Sequence, residues 1–221
     1  VSAEGQAKWS GTQEPASRPG RENVRERLLD AAADEFTERG FAAAKLQDIA
    51  RRAGFTKGAV YSNFESKQAL FAELLSKRSM ELAARVIDDV SGLTPGDAAG
   101  RGGHAIASWI VAEPRWPLLV TEFGIQAGRD ESIAAGYRRE RRNLRAELEA
   151  LIAERATAWG VADTFDARRV ATSLLALISG LAVEHSVDPE VIDETVIGDA
   201  VTELFAGALS RARIDTSAAH D

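Results

Sequence analysis

The sequence predicts an all-α fold, with three short helices near the N-terminus followed by a bundle of longer ones. Three observations carry this. Ala, Leu, Glu and Arg, all strong helix formers, dominate a chain in which aromatics make up only 6% of residues. Apolar side chains recur three and four positions apart, the spacing of one helix face. No stretch alternates apolar and polar residues between hairpin turns, as paired strands would. At 221 residues the chain is long enough for one sizeable domain or two small ones.

Residues 1–20 are rich in Gly, Ser, Pro and Gln without an apolar period, the composition of a disordered tail; Trp9 stands out there with no evident role. A first helix is predicted over 22–39, with Val24, Leu28, Ala31, Ala32 and Phe36 on one stripe and Glu35 its single polar interruption. Gly40 stops it, and Phe41 folds back. A second helix is predicted over 46–53 and a third over 57–64. A fourth starts at Ser66, a good N-cap, and runs to Ser91-Gly92 along Leu70, Phe71, Leu74, Leu75, Leu82 and Val86. The sequence SGLTPGDAAGRGG at 91–103 is the one long breaker-rich stretch and predicts a loop. Helical segments follow at 104–112, 116–127, 131–159 and 166–187, punctuated by Pro114, Pro117, Gly128, Gly160 and Pro189. A last helix is predicted over 197–211, and residues 213–221 read as a frayed tail.

Composition removes several classes of function. There is no cysteine, so disulfides and thiolate metal sites are excluded. No uninterrupted apolar run approaches the ~20 residues of a membrane helix, and no charged-then-apolar leader is visible. A cytoplasmic protein without a membrane partner is therefore expected. HExxH, a glycine-rich phosphate loop after a strand and a nucleophilic serine context are all missing, so no catalytic residue, metal site or cofactor is expected. The run Arg138-Arg139-Glu140-Arg141-Arg142 is most simply a solvated helix face.

Charge is unevenly spread. The net charge is −7, but residues 21–80 carry +2 (11 Lys/Arg against 9 Asp/Glu), while residues 81–221 carry −9 (14 against 23). A small positive end on an acidic body suits a protein that meets DNA with that end.

The positive end contains a helix-turn-helix pattern at 46–64. Two short helices must cross steeply for one to enter a major groove. Ile49 supplies the apolar anchor of the first and Ala50 the small residue at the crossing. Gly54 follows Ala53 where the turn needs positive φ. Phe55 plugs the core after the turn, and Val60 and Phe64 anchor the second helix. With those two facing inward, Gly58 and Ser62 point outward, flanked by Ala59 and Tyr61. Small residues let the backbone approach base edges, and Ala59 can touch a thymine methyl. Gln47 is placed to read adenine or touch phosphate. Thr56 and Lys57 stand where free N–H groups favour phosphate.

Arg25, Leu28-Leu29, Ala31-Ala32, Phe36, Gly40-Phe41, Asp48-Ile49-Ala50, Ala53-Gly54, Lys57-Gly58, Tyr61, Phe64, Lys67 and Leu70 together resemble the TetR/AcrR family of bacterial transcriptional regulators, over about 21–75. The resemblance implies that the third helix is the recognition helix. It also implies that Tyr61 and Lys67 contact phosphates and that Arg25 makes a backbone contact from the first helix. One departure is visible. Where the family usually has a capping Thr or Ser before the second helix, this chain has Ala44 and Lys45. The cap is lost, worth ~1 kcal/mol in typical cases, and the Lys45 charge is expected to replace the phosphate contact.

The resemblance also implies two roles for the C-terminal half. Leu174, Leu177, Gly180 and Leu181 on one helix, with Leu204, Phe205 and Ala208 on the last, are candidates for a four-helix dimer interface. His104, Ile106, Trp109, Trp116, Phe123, Tyr137 and Trp159 are candidates for an effector pocket. The expected layout is an N-terminal three-helix helix-turn-helix DNA-binding domain at 21–66, joined by a long helix to a helical ligand-binding and dimerisation domain at 67–212. The expected function is a repressor. It binds a near-palindromic double-stranded DNA operator as a homodimer and is released by a small apolar or amphipathic effector. The competing readings are an all-α enzyme and a helical interaction module with a non-functional DNA-binding head.

Overall fold

The computed structural model describes residues 21–218, with side chains described for 22–212; the tail at 1–20, including Trp9, lies outside the described residues. Among the described residues there are nine helices and no strand: α1 (Arg21–Ala43), α2 (Leu46–Arg52), α3 (Lys57–Asn63), α4 (Lys67–Asp89), α5 (Pro95–Ala112), α6 (Arg115–Ala127), α7 (Glu131–Ala158), α8 (Ala167–Val187) and α9 (Glu194–Ala218). The predicted all-α fold, with its helix-turn-helix followed by a helical body, is the one observed.

The predicted stops act locally as expected. Gly40 breaks α1 with φ 75° and ψ 165°, although a further helical turn carries on to Ala43. Ser66 caps α4, its side chain accepting from the Ala69 N–H at 3.0 Å. Asp166 caps α8 by accepting from the Arg169 N–H at 2.9 Å.

The loop predicted over 91–103 is overturned, because α5 begins at Pro95. Thr94 caps it, accepting from the Asp97 N–H at 3.3 Å, and Pro95 occupies a first-turn position where no N–H is needed. Gly103, one of the glycines that suggest a loop, instead permits close helix packing. A Cβ at Gly103 would stand 2.5 Å from the Gly198 carbonyl oxygen on α9, so only glycine lets the two backbones meet. The last helix starts earlier than predicted, at Glu194, and α9 continues to Ala218. Helix α8 qualifies the expectation about membranes. It is long and apolar enough to cross one by length and composition, and only 22% of its most apolar window is buried.

Three clusters build the core. The first joins α1, α2, α3, α4 and α6 around Phe36, Phe41, Phe71, Trp116 and Phe123. Phe71 is fully buried and makes ring contacts with Phe36 (5.0 Å), Phe41 (5.2 Å), Phe123 (4.6 Å) and Trp116 (6.0 Å). This cluster crosses the boundary placed at 66/67, so the head and the body share one core. The second joins α7, α8 and α9 through Leu144, Ile152, Val170 and Leu209. The third joins α5, α8 and α9 through Ile106, Ile110, Leu174 and Val201.

Candidate nucleic-acid interface and ligand cavity

The helix-turn-helix is set by its buried anchors. Ile49, Ala50 and Val60 are buried almost completely, and Phe64 nearly so. The turn closes as a left-handed helix stop. Gly54 has φ 76°, its N–H donates to Arg51 O (3.1 Å), and the Phe55 N–H donates to Ala50 O (2.8 Å). With α3 pinned by Val60 and Phe64, Lys57, Gly58, Tyr61 and Ser62 all face solvent, and Ala59 is half-buried. Tyr61 is 53% exposed, and the Lys57 ammonium lies 5.5 Å from its ring centroid. Gln47, Thr56 and Lys45 are exposed on the same end. Lys45 precedes α2 without any side-chain cap, as the missing Thr or Ser implied, and it makes no ion pair among the described residues. Thr56 likewise makes no side-chain cap to α3.

Two of the residues expected at the DNA backbone, Lys67 and Arg25, are also tied into the scaffold. The Lys67 ammonium donates to the carbonyls of Phe41 (2.8 Å), Ala42 (3.2 Å) and Ala44 (3.1 Å) and lies over the Phe41 ring at 4.6 Å. An ammonium has three protons, and these three acceptors use them. Desolvation lowers the Lys67 pKa, partly offset by the charge of Glu122. Arg25 donates to Asn63 O (2.7 Å), closing the end of α3, and through Nε (2.8 Å) and Nη2 to Glu73 of α4. Its guanidinium also covers the Phe64 ring at 4.5 Å. In this geometry Arg25 and Lys67 set the angle of the recognition helix from behind.

Several other supports are not visible in the sequence. Arg27 donates to Ala53 O (2.9 Å) and covers Phe55 (4.8 Å). Arg52 donates to both carboxylate oxygens of Glu38 (2.9 and 2.6 Å), tying α2 to α1. Glu122 on α6 accepts from the Phe41 and Ala42 N–H groups, both at 3.4 Å. Glu122 and Lys67 thus grip opposite polar groups of the same short turn at the end of α1. These partners are 14 to 81 residues apart in sequence, so local pattern carries no trace of them.

In the body, a cavity of about 140 Å³ lies between α4, α5, α7, α8 and α9, with the start of α6 at one side. Four of the seven expected residues line it: Ile106, Trp109, Trp116 and Trp159. Three do not. Phe123 and Tyr137 belong to the shared core, where their rings meet at 5.4 Å. His104 faces solvent, its side chain 72% exposed and 3.7 Å from the Glu194 carboxylate. Most of the wall comes from residues not singled out in the sequence, including Leu82, Val86 and Val90 of α4 and Leu148 and Ile152 of α7. These look like ordinary core positions of amphipathic helices.

The candidate interface residues divide similarly. Leu174 and Ala208 are buried within the subunit, and Phe205 lines the cavity, so none of the three is presented outward. Leu177, Leu181 and Leu204 are only half-buried, and Gly180 is exposed.

Comparison with known proteins gives these two regions a context. Residues 28–74 match the family of bacterial regulatory proteins, tetR family, and residues 110–210 match the BetI-type transcriptional repressor, C-terminal. The HTH-type transcriptional regulator YdgC of Bacillus subtilis is 54% identical over 52 residues, covering 24% of this chain and 27% of that protein. The regulator YwcC of the same organism is 30% identical over 105 residues, 44% of this chain and 47% of that protein. These alignments span less than half of either curated relative. A solved transcriptional regulator from Rhodococcus sp. Rha1 superposes with a TM-score of 0.60 at 25% identity, covering 84% of this chain and 96% of that one. These matches are to regulators, and none is to an enzyme family.

Proposed function

For a chain that belongs to the TetR/AcrR family of bacterial transcriptional regulators, we propose the specific role of a ligand-responsive cytoplasmic repressor. It binds a near-palindromic operator as a homodimer and leaves it when a small apolar or amphipathic effector fills the cavity. The carrying observation is the division of α3. Val60 is buried, while Lys57, Gly58, Tyr61 and Ser62 face solvent on the opposite side of the helix. Gly58, Ala59 and Ser62 offer few base-specific hydrogen bonds, so sequence choice rests on Gln47, Thr56, Lys57 and operator shape.

A dimer is supported by the face of α8 and α9 carrying Leu177, Gly180, Leu181 and Leu204, which one subunit leaves partly open. Two recognition helices about 34 Å apart then meet successive turns of one groove. Coupling is supported by shared elements. Helix α4 lines the cavity and starts directly behind α3, while α6 lines it with Trp116, Pro117 and Val120 and grips the α1 turn through Glu122. An effector shifts the equilibrium only by its differential affinity for the two states.

Selection from random duplex DNA with the full chain tests this reading. An enriched near-palindrome is expected, and a pool without one would overturn operator binding. Lys57→Ala on the selected site is expected to reduce the slope of log K against log salt by about 1. An unchanged slope would remove Lys57 from the phosphate contacts.

A further inference from the structure

The cavity wall is almost entirely hydrocarbon, and its charged residues are all of one sign. Ser79, Ser179, Arg141 and Arg155 are its polar side chains apart from the three tryptophan N–H groups, and no carboxylate lines it. Trp159 already uses its indole N–H on Leu93 O at 3.3 Å. Both arginines lie on α7, fourteen residues apart, which places them on the same side of the helix about 21 Å apart along its axis. They therefore mark the two ends of an apolar trough.

The two ends are not equivalent. At one, the Arg141 guanidinium lies 6.0 Å from the Tyr137 ring. At the other, Arg155 sits with Trp159, Phe165 and Leu209 on the wall. Its Nη2 donates to the exposed carboxylate of neighbouring Glu154 at 3.0 Å, while its Nε is buried and has no hydrogen-bond partner. A buried donor on a permanent cation is costly to leave unmade. An uncharged ligand filling the trough would leave that donor unmade and the charge unbalanced. A cationic ligand would add like-charge repulsion in a low-dielectric space. An anionic oxygen at this end would satisfy the donor and balance the charge in one contact.

We propose that the effector is an amphipathic anion, a long apolar body with a carboxylate-like head, and that Arg155 is the residue that selects the charge. This rests on the reading of the cavity as the effector site and adds the chemical class of the ligand and its polar anchor.

Titration calorimetry of the full chain with three twelve-carbon probes, dodecanoate, 1-dodecanol and dodecyltrimethylammonium, separates the possibilities. Dodecanoate is expected to bind at least tenfold more tightly than dodecanol, with the ammonium probe weakest. Arg155→Gln is expected to abolish the acid-over-alcohol ratio while leaving dodecanol affinity within about threefold, Arg155→Lys to keep part of the ratio, and Arg141→Gln to leave it intact. The ratio is an internal comparison within each folded variant, so a general loss of stability does not mimic the effect. Equal binding of acid and alcohol by the wild type, or a ratio that survives Arg155→Gln, would overturn the proposal while leaving the cavity as the effector site. Binding of none of the three probes would remove the cavity reading itself, and the proposal with it.

Discussion

The head and the body of this protein spend their side chains differently. In the head, Phe36, Phe41, Phe71 and Ile49 are buried to 2% exposure or less, and almost every basic residue behind α3 is committed to a carbonyl, a carboxylate or a ring. In the body, α4, α7 and α8 enclose a cavity, and many apolar residues of α8 are only half-buried. A rigid head holds a fixed reading geometry. A body with unfilled volume and uncovered surface still has places to gain contacts. The contrast teaches that binding capacity here lies where packing is incomplete, and that most of the head's positive charge serves architecture.

The sharpest break of this contrast is Phe71→Ala. Phe71 lies at the centre of the shared cluster and touches both the head (Phe36, Phe41) and α6 (Trp116, Phe123). Loss of a buried phenylalanine costs about 3–5 kcal/mol. Urea denaturation is expected to show that full loss together with weakened operator binding. A loss below 1 kcal/mol would mean that the head is no better packed than the body.

Gly103→Ala tests the one body contact as tight as the head. The added methyl meets the Gly198 carbonyl and the Thr202 side chain of α9. Overpacking of this kind costs about 1–3 kcal/mol, and a lowered midpoint in thermal unfolding is expected. By contrast, Gly100→Ala meets nothing within 4 Å, so it is expected to be neutral or stabilising in the same helix.

These glycines also show where the sequence stopped being legible. The helix-turn-helix could be read in full because its demands are local: Ile49, Ala50, Gly54, Phe55 and Val60 lie within twelve residues and each has one steric task. The stretch 91–103 reads as a loop although α5 begins at Pro95, because Gly103 answers to α9, about a hundred residues away, rather than to its own backbone. The same reason hid Glu122, Glu73 and Arg155. Basic residues are legible as charge but not as commitments, so the sequence does not show that Arg25 and Lys67, expected at the DNA backbone, also hold Asn63, Glu73 and the α1 turn. The aromatic residues are legible as buried but not by which neighbour buries them: Phe123 and Tyr137 pack in the shared core, while Trp109 and Trp116 also reach the cavity.

Within the body, Ala83→Leu sharpens the comparison from the opposite side. Ala83 is a half-buried wall residue of the cavity. Added methylenes there enter empty space rather than a filled core, so the stability change is expected to stay within about 1 kcal/mol. The same substitution is expected to weaken effector binding by occupying its volume. A large destabilisation would show that the cavity closes in solution.

The smallest expected effect concerns the electrostatic locking of the head. Glu38 has its pKa lowered, chiefly by the hydrogen bond from Arg52, with the charges of Arg52 and Arg39 adding to it and desolvation, the second-largest effect, opposing it. A carboxyl whose folded pKa lies below its unfolded value, about 4.3 for a free glutamate, binds more protons when unfolded. It therefore adds stability above that value and loses it as pH falls through the lower, folded value. The pair is on the surface, so the gain is small and salt-sensitive. Thermal unfolding of Glu38→Gln is expected to lie slightly below the wild type at pH 7, to converge on it as pH falls below about 4, and to converge also in 1 M salt. A difference that persists in acid would assign the effect of Glu38 to packing on α2 rather than to its charge, and the head would then be held by shape alone.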